Sequence, residues 1–319
     1  MNTPIALIAF NRPQQTQTVF DAIRAAKPQR LFIIVDGPRE NHPTDAERCE
    51  QVRALLEKID WPCELTRIYS DANLGCRERV SSGISAVFEA VDRCIFLEDD
   101  CLPEPTFFRY CAELLDRYEH DERVMSISGD SFQTAMGSME FSESYFFTRY
   151  SHVWGWATWR RAWQHYEGVL GRWPQLRDSG LLNDRLGNLH QRIFWTRWLD
   201  KCARGDLNTW DVPWQLAIFE AGESSGLSIC PSVNLVSNIG MDEQGTHHTG
   251  ESDMGELPTH PMPFPMTHPA QIERNAAADR WAERHIYSGS LLARYHRVWR
   301  HAKSSLRLRF SERSKTRKL

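Results

Sequence analysis

The sequence predicts an α/β protein: a mostly parallel central sheet flanked by helices, followed by a helical extension at the C-terminus. Two observations carry this reading. Short apolar runs alternate with stretches that read as helices through the first 130 residues, the pattern of βαβ units with a sheet covered on both faces. A stretch with five prolines, Glu251 to Pro269, then separates the body from a final helical region.

The elements follow in order. Residues 4–10 (PIALIAF) form the first strand, 13–26 a helix, 30–35 (RLFIIV) the second strand and about 43–58 a second helix. ELTRIY at 64–69 is the third strand, about 76–90 a helix, and CIFLED at 94–99 the fourth strand. A helix from Pro105 to about Tyr118 and a strand at 123–128 complete the regular part. From 150 to 220 the texture changes to aromatic-rich helices, with strands at 226–230 and 233–237. The prolines of 251–269 exclude a helix or a central strand and predict an extended linker or a lid. A helix from about Pro269 through Ala302 is expected beyond it, with a break near Ser288 to Ser290. No internal repeat is visible.

The 319 residues suffice for one large domain or two modest ones, and 41% hydrophobic with 25% charged residues is an ordinary globular balance. The 8 cysteines never occur as C-x-x-C, which argues against a zinc ribbon or a thioredoxin-type site and favours reduced thiols. The first residues, MNTPIALIAFNRP, have a short apolar run with no basic region before it, unlike a secretory signal. The expectation is a cytoplasmic protein. The net charge of -4 conceals an asymmetry: Arg297 to Leu319 holds nine Lys/Arg and one acid, while the preceding 296 residues hold 29 basic and 41 acidic side chains, a balance of -12. Tryptophan is uneven too, with nine of 12 between Trp154 and Trp214. Such a segment is an aromatic core or a binding platform.

The first strand runs into FNRPQQT, so neither the dinucleotide G-x-G-x-x-G nor the P-loop G-x-x-x-x-G-K-[ST] follows it. The strongest local signal is Glu98-Asp99-Asp100, three carboxylates ending an apolar strand, where open α/β sheets bind ligands. Like charges so close raise each other's pKa unless a cation compensates. A hard divalent ion sharing its shell with water and a diphosphate is the economical partner. The plain alternative is an acidic turn opening the next helix.

Ala6 to Arg12, IIVDG ending in Asp36, NLGCRERVSSGISAVFEAVDRCIFLEDDCLPEPTFF and WGWATWRRAW together resemble GT-A-fold, nucleotide-sugar-dependent glycosyltransferases. The pattern is most similar to the N-acetylglucosaminyltransferase I type and to bacterial enzymes of surface-polysaccharide assembly, in which a strand, an acidic triplet and a helix opening with a proline and two aromatics recur in this order. The resemblance covers roughly residues 4–250, with 1–130 as the nucleotide-sugar-binding half and 131–250 as the acceptor and catalytic half; 251–269 is the linker or lid and 270–319 the C-terminal helix and basic tail.

The resemblance implies roles residue by residue. Arg12 matches an arginine at the nucleotide diphosphate or base, and Asp36 the acid that reads uracil N3; a solvated loop arginine and a turn-forming Asp-Gly are the alternatives. Arg39 is a weaker candidate in the same loop. Arg77 and Arg79 open the helix after NLG, where they favour an anionic ligand or are simply exposed helix charges. Asp100 matches the metal ligand, with Glu98 and Asp99 toward the sugar and ribose. Asp211 in NTWDVPWQLAIFEAG resembles the catalytic base of a W-D-D-W motif, although Val212 replaces its second acid; it also suits an N-cap. His247, in preference to His248, is a possible metal ligand that would favour Mn²⁺ over Mg²⁺.

In WGWATWRRAW, Trp156, Trp159 and Trp163 fall at helical spacing. Trp159 and Trp163 are assigned to the core, and Trp154, Trp156 and Trp210 to an acceptor wall on which a sugar ring stacks. The basic tail, mixing charge with Leu, Tyr, Trp and Phe, suits the anionic inner face of a membrane, beside lipid-linked acceptors; a solvated end is the alternative.

The sequence thus reads as a metal-dependent, inverting glycosyltransferase, with Mn²⁺ or Mg²⁺, a nucleoside-diphosphate sugar donor, UDP-linked, and a saccharide or lipid-linked saccharide acceptor. Nucleic acid is not expected as a partner. A non-catalytic sugar-nucleotide-binding or lectin-like module is the alternative outside catalysis. A sugar nucleotidyltransferase is the second alternative, disfavoured by the missing Gly-rich, basic loop after the first strand.

Overall fold

The computed structural model of the chain describes residues 1–222, 225–240 and 256–287. Its first half is the predicted alternation: β1 (Ile5–Ala9), α1 (Pro13–Ala26), β2 (Arg30–Val35), α2 (Asp45–Leu56), β3 (Glu64–Tyr69), α3 (Gly75–Ala90), β4 (Arg93–Glu98), a short β5 (Cys101–Pro103), α4 (Phe107–Arg117) and β6 (Val124–Ser128). Then come α5 (Phe132–Ala135), β7 (Tyr145–Thr148), β8 (Trp156–Trp159), α6 (Arg160–Trp163), α7 (Trp173–Asp178), α8 (Leu181–Arg185), α9 (Leu189–Ala203), α10 (Asp211–Ala221), β9 (Leu227–Pro231), β10 (Val236–Asn238) and α11 (Ala276–His285).

Eight strands form one sheet in the order β3-β2-β1-β4-β8-β6-β9-β7, and β10 pairs with β5 in a separate ribbon. The first four strands are parallel in the order of a dinucleotide-fold half. β8 runs antiparallel between β4 and β6 and so welds this half to the parallel pair β6 and β9, with β7 antiparallel at the edge. β1, β2 and β4 are largely apolar because helices cover both faces, whereas the edge strand β3 (ELTRIY) is mostly exposed. Leu7, Ile33, Ile95 and Leu97 point to the side of α1 and α4, meeting Val19, Phe20 and Leu114. Ala6, Ile8, Phe32, Ile34 and Phe96 point to the side of α3 and α10, meeting Val80, Ile84 and Trp214.

The tryptophan segment departs from its predicted helix. Residues 156–159 are a central strand, so their side chains alternate between faces: Ala157 and Trp159 join the α1 and α4 side, while Trp156 faces α10. Only Arg160–Trp163 is helical. Aromatic β-branched-rich tetrads satisfy both periods at this length, and pairing with β4 and β6 decides for the strand. Trp156 stacks on Phe96 at 5.2 Å and on Trp210 at 5.2 Å, with Trp214 at 5.7 Å. Trp159 and Trp163 are core, 2% and 5% exposed.

Between residues 256 and 269 the Pro-rich segment is a strap packed on the body. The amide of Met262 donates to Thr106 Oγ1 at 2.8 Å, and Ser144 and Thr267 exchange hydrogen bonds at 2.8 and 2.9 Å. Met262 and Met266 are buried. The final helix starts seven residues later than predicted, because Asn275 caps it by accepting from the amides of Ala277 and Ala278. It docks through buried Asp279, which accepts from Thr148 Oγ1 at 2.6 Å and faces Arg149 and Arg274, each at 3.4 Å. Burial pushes the Asp279 carboxyl up to about 6 against the pull of these partners.

Trp156→Ala opens a cavity in the aromatic stack and lowers stability by about 3–5 kcal/mol, whereas Val169→Ala, at a site 75% exposed, changes it by less than about 0.5 kcal/mol; urea unfolding followed by circular dichroism checks both.

Candidate active site

The carboxyl ends of β1, β2 and β4 lie together at one edge of the sheet, the candidate cleft, and each is followed by an acid or an arginine. At the end of β4 stand Glu98, Asp99 and Asp100. Asp99 is buried and accepts the Phe10 amide at 3.0 Å. Asp100 accepts from Arg12 Nη1 at 2.6 Å, and the same nitrogen lies 3.7 Å from Asp99. Arg12 is therefore aimed at the triplet from the turn after β1. Burial and the neighbouring Asp100 raise the pKa of Asp99, opposed by Arg12 and the Phe10 amide. Glu98 is raised by burial, then by Asp100, Asp99 and Asp211, and a hydrogen bond from the Trp210 side chain opposes this.

Across the cleft Asp211 is the first residue of α10, with Trp210 in the capping position. Asp211 therefore does not act as the N-cap; it lies in the first turn, where its charge suits the helix dipole, and its carboxylate accepts the Thr209 hydroxyl. The partly buried Cys76 thiol lies near these groups: its pKa is raised by burial and then by Glu98, Asp211, Asp100 and Asp36. Triplet and proposed base thus share one field, although 111 residues separate Asp100 from Asp211 in sequence.

The ribbon of β5 and β10 frames the triplet. Asn238 pairs with Cys101 and the Ile239 amide donates to the Asp100 carbonyl at 2.8 Å. A side chain at Gly240 would collide with Asp100 and Arg12. His247 and His248 lie outside the described residues.

Other predicted residues hold the cleft's shape. Asp36 is occupied by four donors, the Gly37 amide of its own loop and, from the turn before α3, the amides of Leu74 and Gly75 and the side chain of Asn73, at 2.9–3.1 Å. It staples the N-L-G turn to the end of β2. Arg39 is paired with buried Asp45 through Nε at 2.6 Å and Nη2 at 3.1 Å, and Asn11 donates to the same carboxylate at 2.7 Å. Arg77 and Arg79 do not form one clamp. Arg77 reaches toward the region before α10, its amide donating to Asn208 Oδ1 at 3.1 Å and Nη1 to the Cys202 carbonyl at 3.4 Å. Arg79 is buried, and that burial lowers its pKa.

The acceptor wall needs correction. Trp156 is 1% and Trp210 2% exposed, both inside the aromatic stack, so neither offers a ring face to a sugar. Trp210 instead acts on the site through Glu98. Trp154 alone of the three is partly exposed, packed edge-on against Phe132 at 5.0 Å, with its amide donating to Asp130 Oδ1 at 3.2 Å. Gly155 behind it has φ of 64° and faces Leu97 and Val236, where no Cβ fits without displacing them.

Asp130 was not anticipated, although the signal was available: S-G-D-S after β6 repeats the acid at a strand end seen at Asp36 and Asp100. It lies 3.3 Å from His152 Nδ1, both side chains buried. Burial lowers the imidazole pKa, but Asp130 outweighs it and raises the group to about 10. Asn208, which packs on Gly75 and receives the Arg77 amide, carried no motif.

No group of three His, Cys, Asp or Glu side chains among the described residues could hold a metal ion unaided. The donor set that is present, hard carboxylate oxygens with Asp100 at its mouth, fits a divalent ion that takes one or two protein carboxylates and fills its shell with water and phosphate oxygens.

No family model matches the chain, and no curated protein does. Among solved structures the chain is similar to a mannosyltransferase from Pyrobaculum calidifontis in complex with GDP-mannose and Mn²⁺, at 15% identity and a TM-score of 0.44 over 76% of this chain and 58% of that one. It is also similar to a 4-diphosphocytidyl-2C-methyl-D-erythritol synthase from Anaerococcus prevotii, at 11% identity and a TM-score of 0.29 over 41% of this chain and 56% of that one. A UDP-glucose pyrophosphorylase complexed with UDP-glucose gives 11% and 0.25 over 48% and 64%. The chain thus spans less than two thirds of each of these proteins.

The His152 pair yields a pH signature. A histidine whose pKa rises from 6.5 to about 10 on folding contributes stability that is complete below pH 6.5 and is lost as pH rises through about 10. Asp130→Asn, which breaks the buried pair, is less stable than the parent by about 3–5 kcal/mol near neutral pH, and the gap between the two closes as pH rises to 10; urea unfolding over a pH series measures it.

Proposed function

We propose that this protein is a metal-dependent glycosyltransferase that moves a sugar from a nucleoside-diphosphate donor, UDP-linked, to a saccharide or lipid-linked saccharide acceptor, with inversion. The observation that carries the reading is the crowding of Glu98, Asp99, Asp100 and Asp211 around one cleft at the carboxyl edge of the sheet, with Arg12 drawn onto Asp100. A lectin-like module would need neither the triplet nor an acid across from it.

In this reading the donor lies along the ends of β1, β2 and β4, in a pocket whose wall is the turn stapled by Asp36. Arg12 meets the diphosphate, and Glu98 and Asp99 face the sugar and ribose. Asp100 holds the divalent ion, Mn²⁺ or Mg²⁺, which when bound neutralises charge on the departing nucleoside diphosphate. Asp211 accepts the proton of the acceptor hydroxyl as that oxygen attacks the anomeric carbon from the side opposite the diphosphate. The hydroxyl of Thr209 and the first turn of α10 hold the Asp211 carboxylate in place. Trp154 offers the acceptor its one exposed ring. A role in bacterial surface glycan assembly, in the cytoplasm and held at the inner membrane face by the basic tail, completes the proposal.

Nucleoside-diphosphate sugars with Mn²⁺ raise the melting temperature and are slowly hydrolysed, and Asp100→Ala lowers that turnover by about 10³-fold. Asp211→Asn keeps donor binding and loses about 10²–10⁴-fold in transfer to an acceptor. Absence of a thermal shift with every UDP- and GDP-sugar tried, with and without metal, overturns the reading.

A further inference from the structure

Helix α9 has a face that the body leaves open. Its inward residues Gln191, Trp195, Leu199 and Cys202 are buried. Leu189, Ile193 and Trp198 are 64%, 42% and 38% exposed, spread over the opposite half of the helix with His190, Arg197 and Lys201 between them. Lys201 lies over the Trp198 ring at 5.7 Å, and Phe194 packs beside that ring at 5.9 Å. The one acid of α9, Asp200, projects between Leu189 and Ile193 and is engaged by Trp173 Nε1 at 2.8 Å and by Arg177 at 3.3 Å. The arc is therefore apolar, aromatic and cationic on a body whose first 296 residues carry a balance of -12.

A second observation gives the face its partner. The described chain ends at Tyr287 against this same helix: the Tyr287 carbonyl accepts from Gln191 Nε2 at 3.1 Å, and its ring lies 5.1 Å from Trp195 and 6.0 Å from Phe194. The residues that continue from there include the nine Lys/Arg of 297–319. The described residues thus end beside α9, which among the described helices is the one whose open face carries both large apolar and basic side chains. Charge complementarity selects an anionic lipid surface. A two-fold contact with another copy would set Arg197 and Lys201 against their own equivalents.

We propose that the open face of α9 docks on an anionic lipid bilayer, inserting Leu189, Ile193 and Trp198 among the headgroups while the tail anchors electrostatically alongside. This rests on the membrane part of the function proposed above and adds a fixed orientation. Arg77 ties the C-terminal end of α9 to the segment before Asp211, donating through Nη1 to the Cys202 carbonyl and through its amide to Asn208 Oδ1, so docking of α9 sets the Asp211 side of the body toward the bilayer. A lipid-linked acceptor then reaches the base without leaving the membrane.

Cosedimentation of the full chain with vesicles of phosphatidylcholine, alone or mixed with phosphatidylglycerol, tests this. The full chain binds the mixed vesicles, and Leu189→Ser, Ile193→Ser and Trp198→Ser combined weaken that binding about tenfold or more with an unchanged melting temperature. Arg197→Glu with Lys201→Glu does the same and stands in if the apolar variant is unstable. Replacing Arg297, Arg300, Lys303, Arg307 and Arg309 by Gln separates the tail: if this weakens binding while both α9 variants bind like the parent, the docking face is wrong and the tail anchor stands. Failure of the full chain to bind mixed vesicles overturns both. Conversion of a dimer to a monomer by the α9 variants assigns the face to a second copy and also overturns the proposal. Donor binding, read by thermal shift without vesicles, is independent of all these outcomes.

Discussion

Three consecutive carboxylates at the end of a strand buried on both faces are the constraint around which this protein is arranged. β4 cannot carry them into the apolar interior, so they surface at the carboxyl edge of the sheet, and each is met by a different element. The Phe10 amide from the end of β1 takes Asp99, Arg12 takes Asp100, and the Trp210 side chain from the threshold of α10 takes Glu98. Burial first, and then the neighbouring acids, raise the pKa of Glu98 and of Asp99 in spite of these partners. In the function proposed above, this triplet, with Arg12 paired to Asp100, is where a cation and a diphosphate meet.

Much of the sheet was legible because buried parallel strands are continuous apolar runs, and RLFIIV and CIFLE admit no competing period. β1 to β4 and α1 to α4 fall within a few residues of their expected positions. WATW was not legible: its four residues satisfy a helix as well as a strand, and the deciding contacts lie about 60 residues away in β4. In the site, the acids at strand ends and at the start of α10 were visible as residue types in the sequence. Their partners were not, since the bonds of Asp36 to the turn before α3 and of Arg39 and Asn11 to Asp45 depend on pairing that no local pattern encodes. Trp156 and Trp210 were misplaced for the same reason: an aromatic side chain reads alike as wall or core until the layer above it is known.

Trp210 belongs to two systems at once. Its ring is a layer of the stack that runs from Phe96 of β4 through Trp156 of β8, and its polar end restrains Glu98. The spacing between the two sides of the cleft is therefore written in ring thicknesses. Loops that rim the cleft can vary without touching this spacing, whereas trimming any ring of the stack shifts the acid triplet against α10.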